Sequence, residues 1–359
     1  MKIQTGIDSD LASKKPHPGS YEWWYFDGLD FESEVGFTII FYEGNPFSSR
    51  YLDAVHSDSV EDGRPAGYPA LSISVYKSGK PVYYGFQEVS PDRAGFGQKR
   101  VEGHVGNSTF AGVRRHGELV YHLSIDQSLP GGDRILGSLR FTSRELEEGI
   151  LKESEPGRGD STHQWCLVQP DAKVSGVLNI DGLNRKRFSL SGSGYHDHNV
   201  GREPMDKSFT EWYWGRFHFL GQTLIYYLMF DKKNEERRAW LLNAKNGMVR
   251  MDHRVVLKDH SWNWAGLKSA RKIRLEGEDA DCLIQHEHVL DNGPFYQRFQ
   301  SRAILNRGGS LLQAEGISEY LVPGRISSRL FRPLVDMRID YPYRVHWVQK
   351  RPRLYRWTW

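Results

Sequence analysis

The chain has almost no cysteine: Cys166 and Cys282 are the only two among 359 residues. Two thiols so far apart in sequence make neither a disulfide framework nor a zinc set, and they point to a reducing compartment, the cytoplasm. Long apolar runs are missing too, and nothing approaches the roughly 18 consecutive apolar residues of a membrane-spanning helix. The opening Met1-Lys-Ile-Gln-Thr-Gly-Ile7 has no apolar core and no small-residue cleavage site, which predicts no secretory leader. Net charge is +3 at pH 7, too close to balance for a nucleic-acid binder. There is no Gly-x-Ser-x-Gly, no P-loop, and no Gly-x-Gly-x-x-Gly between a strand and a helix. Those absences disfavour α/β-hydrolase, kinase and dehydrogenase readings. Helical periodicity is scarce; the best candidates, Ser143 to Lys152 and Trp262 to Ala270, are short.

Aromatic residues, by contrast, are abundant: 11 Trp, 18 Tyr and 17 Phe. Many sit in short alternating or β-branched runs. Phe37-Thr-Ile-Ile-Phe-Tyr42 and Leu71-Ser-Ile-Ser-Val-Tyr76 read as strands, and Ser78-Gly-Lys80 turns the second into Val82-Tyr-Tyr-Gly-Phe86. Leu119 to Ile125 and Ile135 to Phe141 flank Pro130-Gly-Gly-Asp133 in the same way. Turns at this spacing predict an all-β chain of antiparallel sandwich or barrel type. A length of 359 residues predicts two domains. An internal echo supports that count. Glu22-Trp-Trp-Tyr25, followed by an apolar strand, returns half a chain later as Glu211-Trp-Tyr-Trp214, followed by Gln222 to Phe230. The expected layout is an N-terminal arm (1–20), a first barrel (21–180), a second barrel (181–343) and a basic aromatic tail (344–359). A barrel of about eight strands can hold a small ligand inside, and a crevice between two barrels a longer one.

Chemistry concentrates in Gly192-Ser-Gly-Tyr-His-Asp-His-Asn-Val-Gly201. Strand alternation puts Tyr195, Asp197 and Asn199 on one face and His196 and His198 on the other. Asp197 is the strongest candidate, because a carboxyl kept neutral in an apolar pocket can protonate an unreactive group near neutral pH. The competing role is a structural Asp that caps a turn or pairs with Arg202 or Arg216. His196 and His198 also have metal-ligand spacing, as do His286 and His288, with His163 and His218 as further choices. Hydrogen-bonded histidines are the commoner outcome, so no metal is expected. His163 and Trp165 could set a proton acceptor beside a cation-stabilising ring. Trp24, Trp212, Trp214, Asn199 and Arg216 are the candidates for substrate contact, core and rim packing being the alternative for the aromatics. At the other end, Arg344 to Trp359 mixes cations with Trp and Tyr. That composition suits either an edge strand with a basic tail or a peripheral contact with a lipid headgroup layer.

Tyr21-Glu-Trp-Trp-Tyr-Phe-Asp27, Gly194-Tyr-His-Asp-His-Asn-Val-Gly-Arg-Glu-Pro204 and Trp212-Tyr-Trp-Gly-Arg216 together resemble the carotenoid 1,2-hydratase (hydroxyneurosporene synthase) family. That family belongs to a lipocalin-like superfamily that also includes fungal enzymes of the Diels–Alderase type. The likeness runs from about Ser20 to about Val322. It implies a pair of lipocalin-like β-barrels, a hydrophobic isoprenoid or polyene substrate and no redox cofactor. It also implies acid–base and cation-stabilising roles for a His-x-Trp pair and a Tyr-x-Asp pair, which match His163, Trp165, Tyr195 and Asp197. The expected activity is hydration of a terminal double bond or a protonation-initiated cyclisation. A non-catalytic carrier of a hydrophobic ligand and a pericyclase are the alternatives. For either enzymatic outcome, acid, base and aromatics from both halves are expected to share one pocket.

Overall fold

Residues 1–15, 17–57, 62–146, 151, 163–183, 185–230, 235–243 and 247–359 are described by the structure, a computed structural model. The chain divides into two compact units, one formed by Met1–Met205 with Ile326–Trp359 and the other by Asp206–Arg325. Both are built mainly from antiparallel strands, and the described helices are short, the longest being Ser49–Val55.

Thirteen strands form the sheet of the first unit. One arm of it is a meander of Tyr21–Asp30, Val35–Glu43, Ala70–Lys77 and Lys80–Glu88. The other arm runs back from His163–Asp181 through Arg134–Arg144, Glu118–Ser128 and Ser108–Arg115. Between the arms lies Lys186–Gly201, paired with Tyr21–Asp30 on one side and His163–Asp181 on the other. The sheet curls until its arms meet. The Phe41 ring touches that of Phe110 at 5.0 Å, and the Tyr83 hydroxyl donates to Gln127 Oε1 at 3.1 Å. Phe26 fills the enclosed side among Phe41, Phe110, Tyr121 and Phe141.

The second unit repeats the plan in nine strands. Glu211–Phe219 pairs with Gln222–Phe230 as Tyr21–Asp30 pairs with Val35–Glu43. On its other side it takes the unit's last long strand, Ser310–Leu321, as Tyr21–Asp30 takes Lys186–Gly201. The echoed Glu-Trp segments thus open topologically equivalent hairpins. Tyr213, Phe217 and Phe219 join Leu224, Ile273, Phe299 and others in this unit's core.

Four expectations are corrected. The boundary expected at 180/181 lies at 205/206, because Lys186–Gly201 completes the first sheet. The N-terminal residues are not a loose arm: Lys2–Thr5 pairs in parallel with His163–Asp181, and Asp10 is buried. The tail is not an edge strand; it carries a short helix, Pro352–Tyr355, and packs in the first unit. Trp262 to Ala270 is a hairpin, with Arg254–Trp262 pairing to Lys268–Glu276. Its turn is fixed by Asn263 Oδ1, which accepts from the Ala265 and Leu267 amides, and by Gly266 at φ +70°. Of the other helical candidate, Ser143 and Arg144 are strand, while 147–150 and 152 lie outside the described residues.

Candidate active site

Three neighbouring strands set the site. Register places Tyr195, Asp197 and Asn199 of Lys186–Gly201 opposite Asp27, Tyr25 and Trp23 on one side. On the other side, Asn199 faces Trp165 and Gly201 faces His163. Alternation then puts all these side chains on the face turned away from the packed interior around Phe26. They are nevertheless buried.

On that face the side chains join in one hydrogen-bonded chain. Asp197 Oδ2 accepts from Trp165 Nε1 and from the Tyr195 hydroxyl, both at 2.7 Å. Asp197 Oδ1 accepts from Asn199 Nδ2 at 3.0 Å. Asn199 Oδ1 then faces His163 Nε2 at 3.2 Å, and His163 Nδ1 faces the Tyr21 hydroxyl at 3.1 Å. With the Asn199 amide donating to Asp197, its oxygen must accept from His163 Nε2–H. That fixes the tautomer and leaves Nδ1 to accept from Tyr21. Every donor in the chain therefore points toward the Asp197 carboxyl, and such aligned bonds strengthen one another.

Burial, helped by the Met1 ammonium, lowers His163 to about 3 from an ordinary 6.5, so it is a neutral imidazole near pH 7. Burial also pushes the Tyr21 phenol up, which keeps it a donor. Gly201 makes room for this end of the chain: a Cβ there would lie 2.0 Å from the Tyr21 ring. Trp23 stacks on Tyr21 at 5.3 Å, and Tyr25 meets Tyr195 edge-on at 6.0 Å.

The buried imidazole carries a stability consequence. Unfolded, His163 takes up a proton below about pH 6.5; folded, it does so only near pH 3. Over that window the unfolded state binds more protons, so stability falls as pH falls and is flat above it. The contribution is at most about 1.4 kcal/mol per pH unit. Urea unfolding at pH 7, 6 and 5 should show that slope in the wild type and a slope shallower by about this amount in His163→Gln. Equal slopes would mean that His163 titrates normally in the fold.

The structure brings together His163, Trp165, Tyr195, Asp197 and Asn199, and it leaves other candidates elsewhere. Trp24 is on the opposite face, stacked on Phe96 and His198, each at 4.6 Å. Alternation sends it there, and Trp23 takes the face shared with Asp197. Trp212, Trp214 and Arg216 belong to the second unit, buried on the face of Glu211–Phe219 that turns away from that unit's core. His196 and His198 face inward. His196 contacts Asp10 Oδ2 at 3.0 Å and the Tyr25 carbonyl at 2.9 Å. His198 contacts Glu22 Oε1 at 2.8 Å. Hydrogen bonds to Cys166 and Glu22 outweigh burial and raise His198 well above its ordinary range. A β-bulge between His286 and His288 buries the first and exposes the second, so that pair does not share a side. Among the described residues no group of three or more His, Cys, Asp or Glu could hold a metal.

Two residues lie outside the candidate site residues, although Tyr21 opens one of the family motifs. Tyr21 ends the donor chain, and its signal was parity with Trp23 and Tyr25 on one strand. Asp10 anchors the inward histidines and left no signal, since it lies in a polar stretch 186 residues from His196 in sequence.

Two curled sheets of mainly antiparallel strands define a lipocalin-like β protein. The chain belongs to the carotenoid hydratase CrtC family, whose profile matches residues 56–350. It is thereby an enzyme of a hydratase family. It is 32% identical over 360 residues to a hydroxyneurosporene dehydrogenase of Chlorobaculum tepidum, covering 94% of this chain and 92% of that protein. It is 26% identical over 291 residues to an acyclic carotenoid 1,2-hydratase of Rubrivivax gelatinosus, covering 80% of this chain and 66% of that one. Among solved structures, CghA with Sch210972 matches at a TM-score of 0.60 and 15% identity, over 89% of this chain and 98% of that one. At that identity the likeness concerns the fold.

Proposed function

We propose that the protein hydrates a terminal carbon–carbon double bond of an acyclic carotenoid or related isoprenoid polyene. The observation that carries this reading is the Asp197 carboxyl, buried and held by Trp165, Tyr195 and Asn199. Family membership and the names of the relatives supply the substrate class.

In the proposed reaction the Asp197 carboxyl gives its proton to the less substituted alkene carbon. The π pair forms the new C–H bond, and the neighbouring carbon becomes a tertiary cation. The donors converging on Asp197 stabilise the carboxylate it leaves behind. The Trp165 ring, held beside the carboxyl by its own N–H, faces the cation as a cation–π partner, with Tyr195 next to it. Water positioned by Asn199, whose amide keeps a second N–H, bonds through oxygen to the cation and releases a proton, which returns to Asp197. The product is a tertiary alcohol, and the enzyme is unchanged. Neutral His163, with both ring nitrogens engaged by Asn199 and Tyr21, orients the Asn199 amide.

A second reading comes from the name of the Chlorobaculum relative, which speaks of dehydrogenation. One assay separates them. Purified protein with lycopene or neurosporene in heavy-oxygen water, with and without an added two-electron acceptor, should give a product carrying one heavy oxygen and two added hydrogens in both cases. A product lighter by two hydrogens and without label would overturn hydration in favour of dehydrogenation. An isomer of unchanged mass would overturn it in favour of cyclisation.

A further inference from the structure

The segment from Tyr341 to Trp359 contains no Asp or Glu. It is fastened to the first unit at several points. Val348, Gln349 and Tyr355 are buried, the Tyr355 hydroxyl donates to the Arg338 carbonyl at 3.2 Å, and Arg356 pairs with Asp133 at 3.0 Å. Between these anchors it presents large aromatic and aliphatic side chains to solvent. Trp357 is 87% exposed and Trp347 61%, and Tyr343, Val345 and Leu354 are exposed too. Arg344, Lys350, Arg351 and Arg353 are exposed among them. Pinning matters, because a free tail would fold its rings against the nearest apolar surface, whereas this one is held with them outward. Rings held outward in water gain nothing from burial, and a cluster of them marks an interaction surface.

We propose that this segment docks on an anionic lipid bilayer, with Trp347 and Trp357 inserted at the headgroup level and Lys350, Arg351 and Arg353 against the lipid phosphates. The charge argues for lipid: cations without a single interleaved carboxylate complement a negative surface, and Trp with Lys and Arg is the composition of interfacial anchors. No helix among the described residues is long and apolar enough to cross a membrane. Docking would bring the enzyme to substrates dissolved in the bilayer, yet it can be read without any substrate.

The test is flotation of the full chain with vesicles of phosphatidylcholine, with or without phosphatidylglycerol, at low and high salt. The wild type should partition to the anionic vesicles more than about tenfold better than to neutral ones, and salt should weaken the binding. Lys350→Glu/Arg351→Glu/Arg353→Glu should lose that preference. Trp347→Ala/Trp357→Ala should float at least about fivefold less on all vesicles, with circular dichroism and melting like wild type because both positions face solvent. Equal partition to neutral and anionic vesicles, or unchanged binding in both variants, would overturn the proposal. So would a wild-type dimer, seen by light scattering, that the tryptophan variant returns to monomer without any vesicle binding; the partner would then be a second copy.

Discussion

Asp197→Asn should fold and melt like the wild type yet turn over substrate more slowly by about a hundredfold to ten-thousandfold, the scale of general-acid catalysis. The carboxamide fills the same space and still offers one oxygen to Trp165 and Tyr195. Its nitrogen, however, now meets the Asn199 nitrogen at the position where Oδ1 accepted at 3.0 Å. Two donors cannot face each other, so the Asn199 amide turns over. It then donates to His163 Nε2, the imidazole proton moves to Nδ1, and the Tyr21 hydroxyl becomes the acceptor. Loss of activity should thus come with a change of His163 tautomer, visible in its ring nitrogen shifts. Activity within tenfold of wild type would mean that no proton moves from Asp197, and a purely conformational role for the site would replace the mechanism. Lost activity with an unchanged tautomer would remove the donor chain from the account.

What could be read from the sequence here follows from period-two geometry. Tyr195, Asp197 and Asn199 share a face because a strand alternates, and that needs no knowledge of partners. The echo of Glu22-Trp23 in Glu211-Trp212 likewise reports topology, since both begin hairpins flanked by the last long strand of their unit. Joining His163 and Trp165 to Asp197 took the family motifs, because contacts between strands depend on register, and register is set by pairing 30 or more residues away. Trp24 went astray for a related reason: two adjacent tryptophans look equivalent in composition, while alternation gives them opposite neighbours. The domain boundary was misplaced because Asp181 to Arg187 carries real turn signals. The turn exists, but it joins two strands of one sheet rather than two units. Least legible was the N-terminus. A polar stretch predicts a free arm, and the partners that bury Asp10 are distant in sequence.

That segment carries the largest expected effect on stability. Asp10 lies 1% exposed on the enclosed side of the first sheet. Its Oδ2 accepts from the Tyr121 hydroxyl at 2.6 Å and meets His196 Nε2 at 3.0 Å, while Oδ1 lies 3.4 Å from His198 Nδ1. Its carbonyl accepts from Trp24 Nε1 at 3.1 Å. Nearby, Lys15 pairs with Glu22, and Glu22 also holds the Ser13 amide and His198. Residues 9 to 15 are thus tied by polar bonds to the underside of the strands that carry the catalytic candidates on their other face. Removing the Asp10 carboxyl takes the partner from one buried imidazole, His196 Nε2, and from the Tyr121 phenol, while His198 keeps Glu22 and the Ser9 carbonyl; a broken buried pair of this kind costs about 3 kcal/mol or more. Asp10→Ala should therefore melt roughly 10 °C below wild type, given about 2–4 °C per kcal/mol for a unit of this size. Asp10→Asn, which keeps the volume and one acceptor, should lose less. Amide exchange should speed up first in residues 9 to 15 and in the backbone of His196 and His198. The Asp197 side of the strands keeps its own bonds, so turnover by the folded fraction of Asp10→Ala should stay within about tenfold of wild type, against the far larger loss for Asp197→Asn. A melting point unchanged by Asp10→Ala would show that the N-terminal segment only covers the sheet. A loss of turnover as deep as that of Asp197→Asn would instead make the inward histidines part of the chemistry.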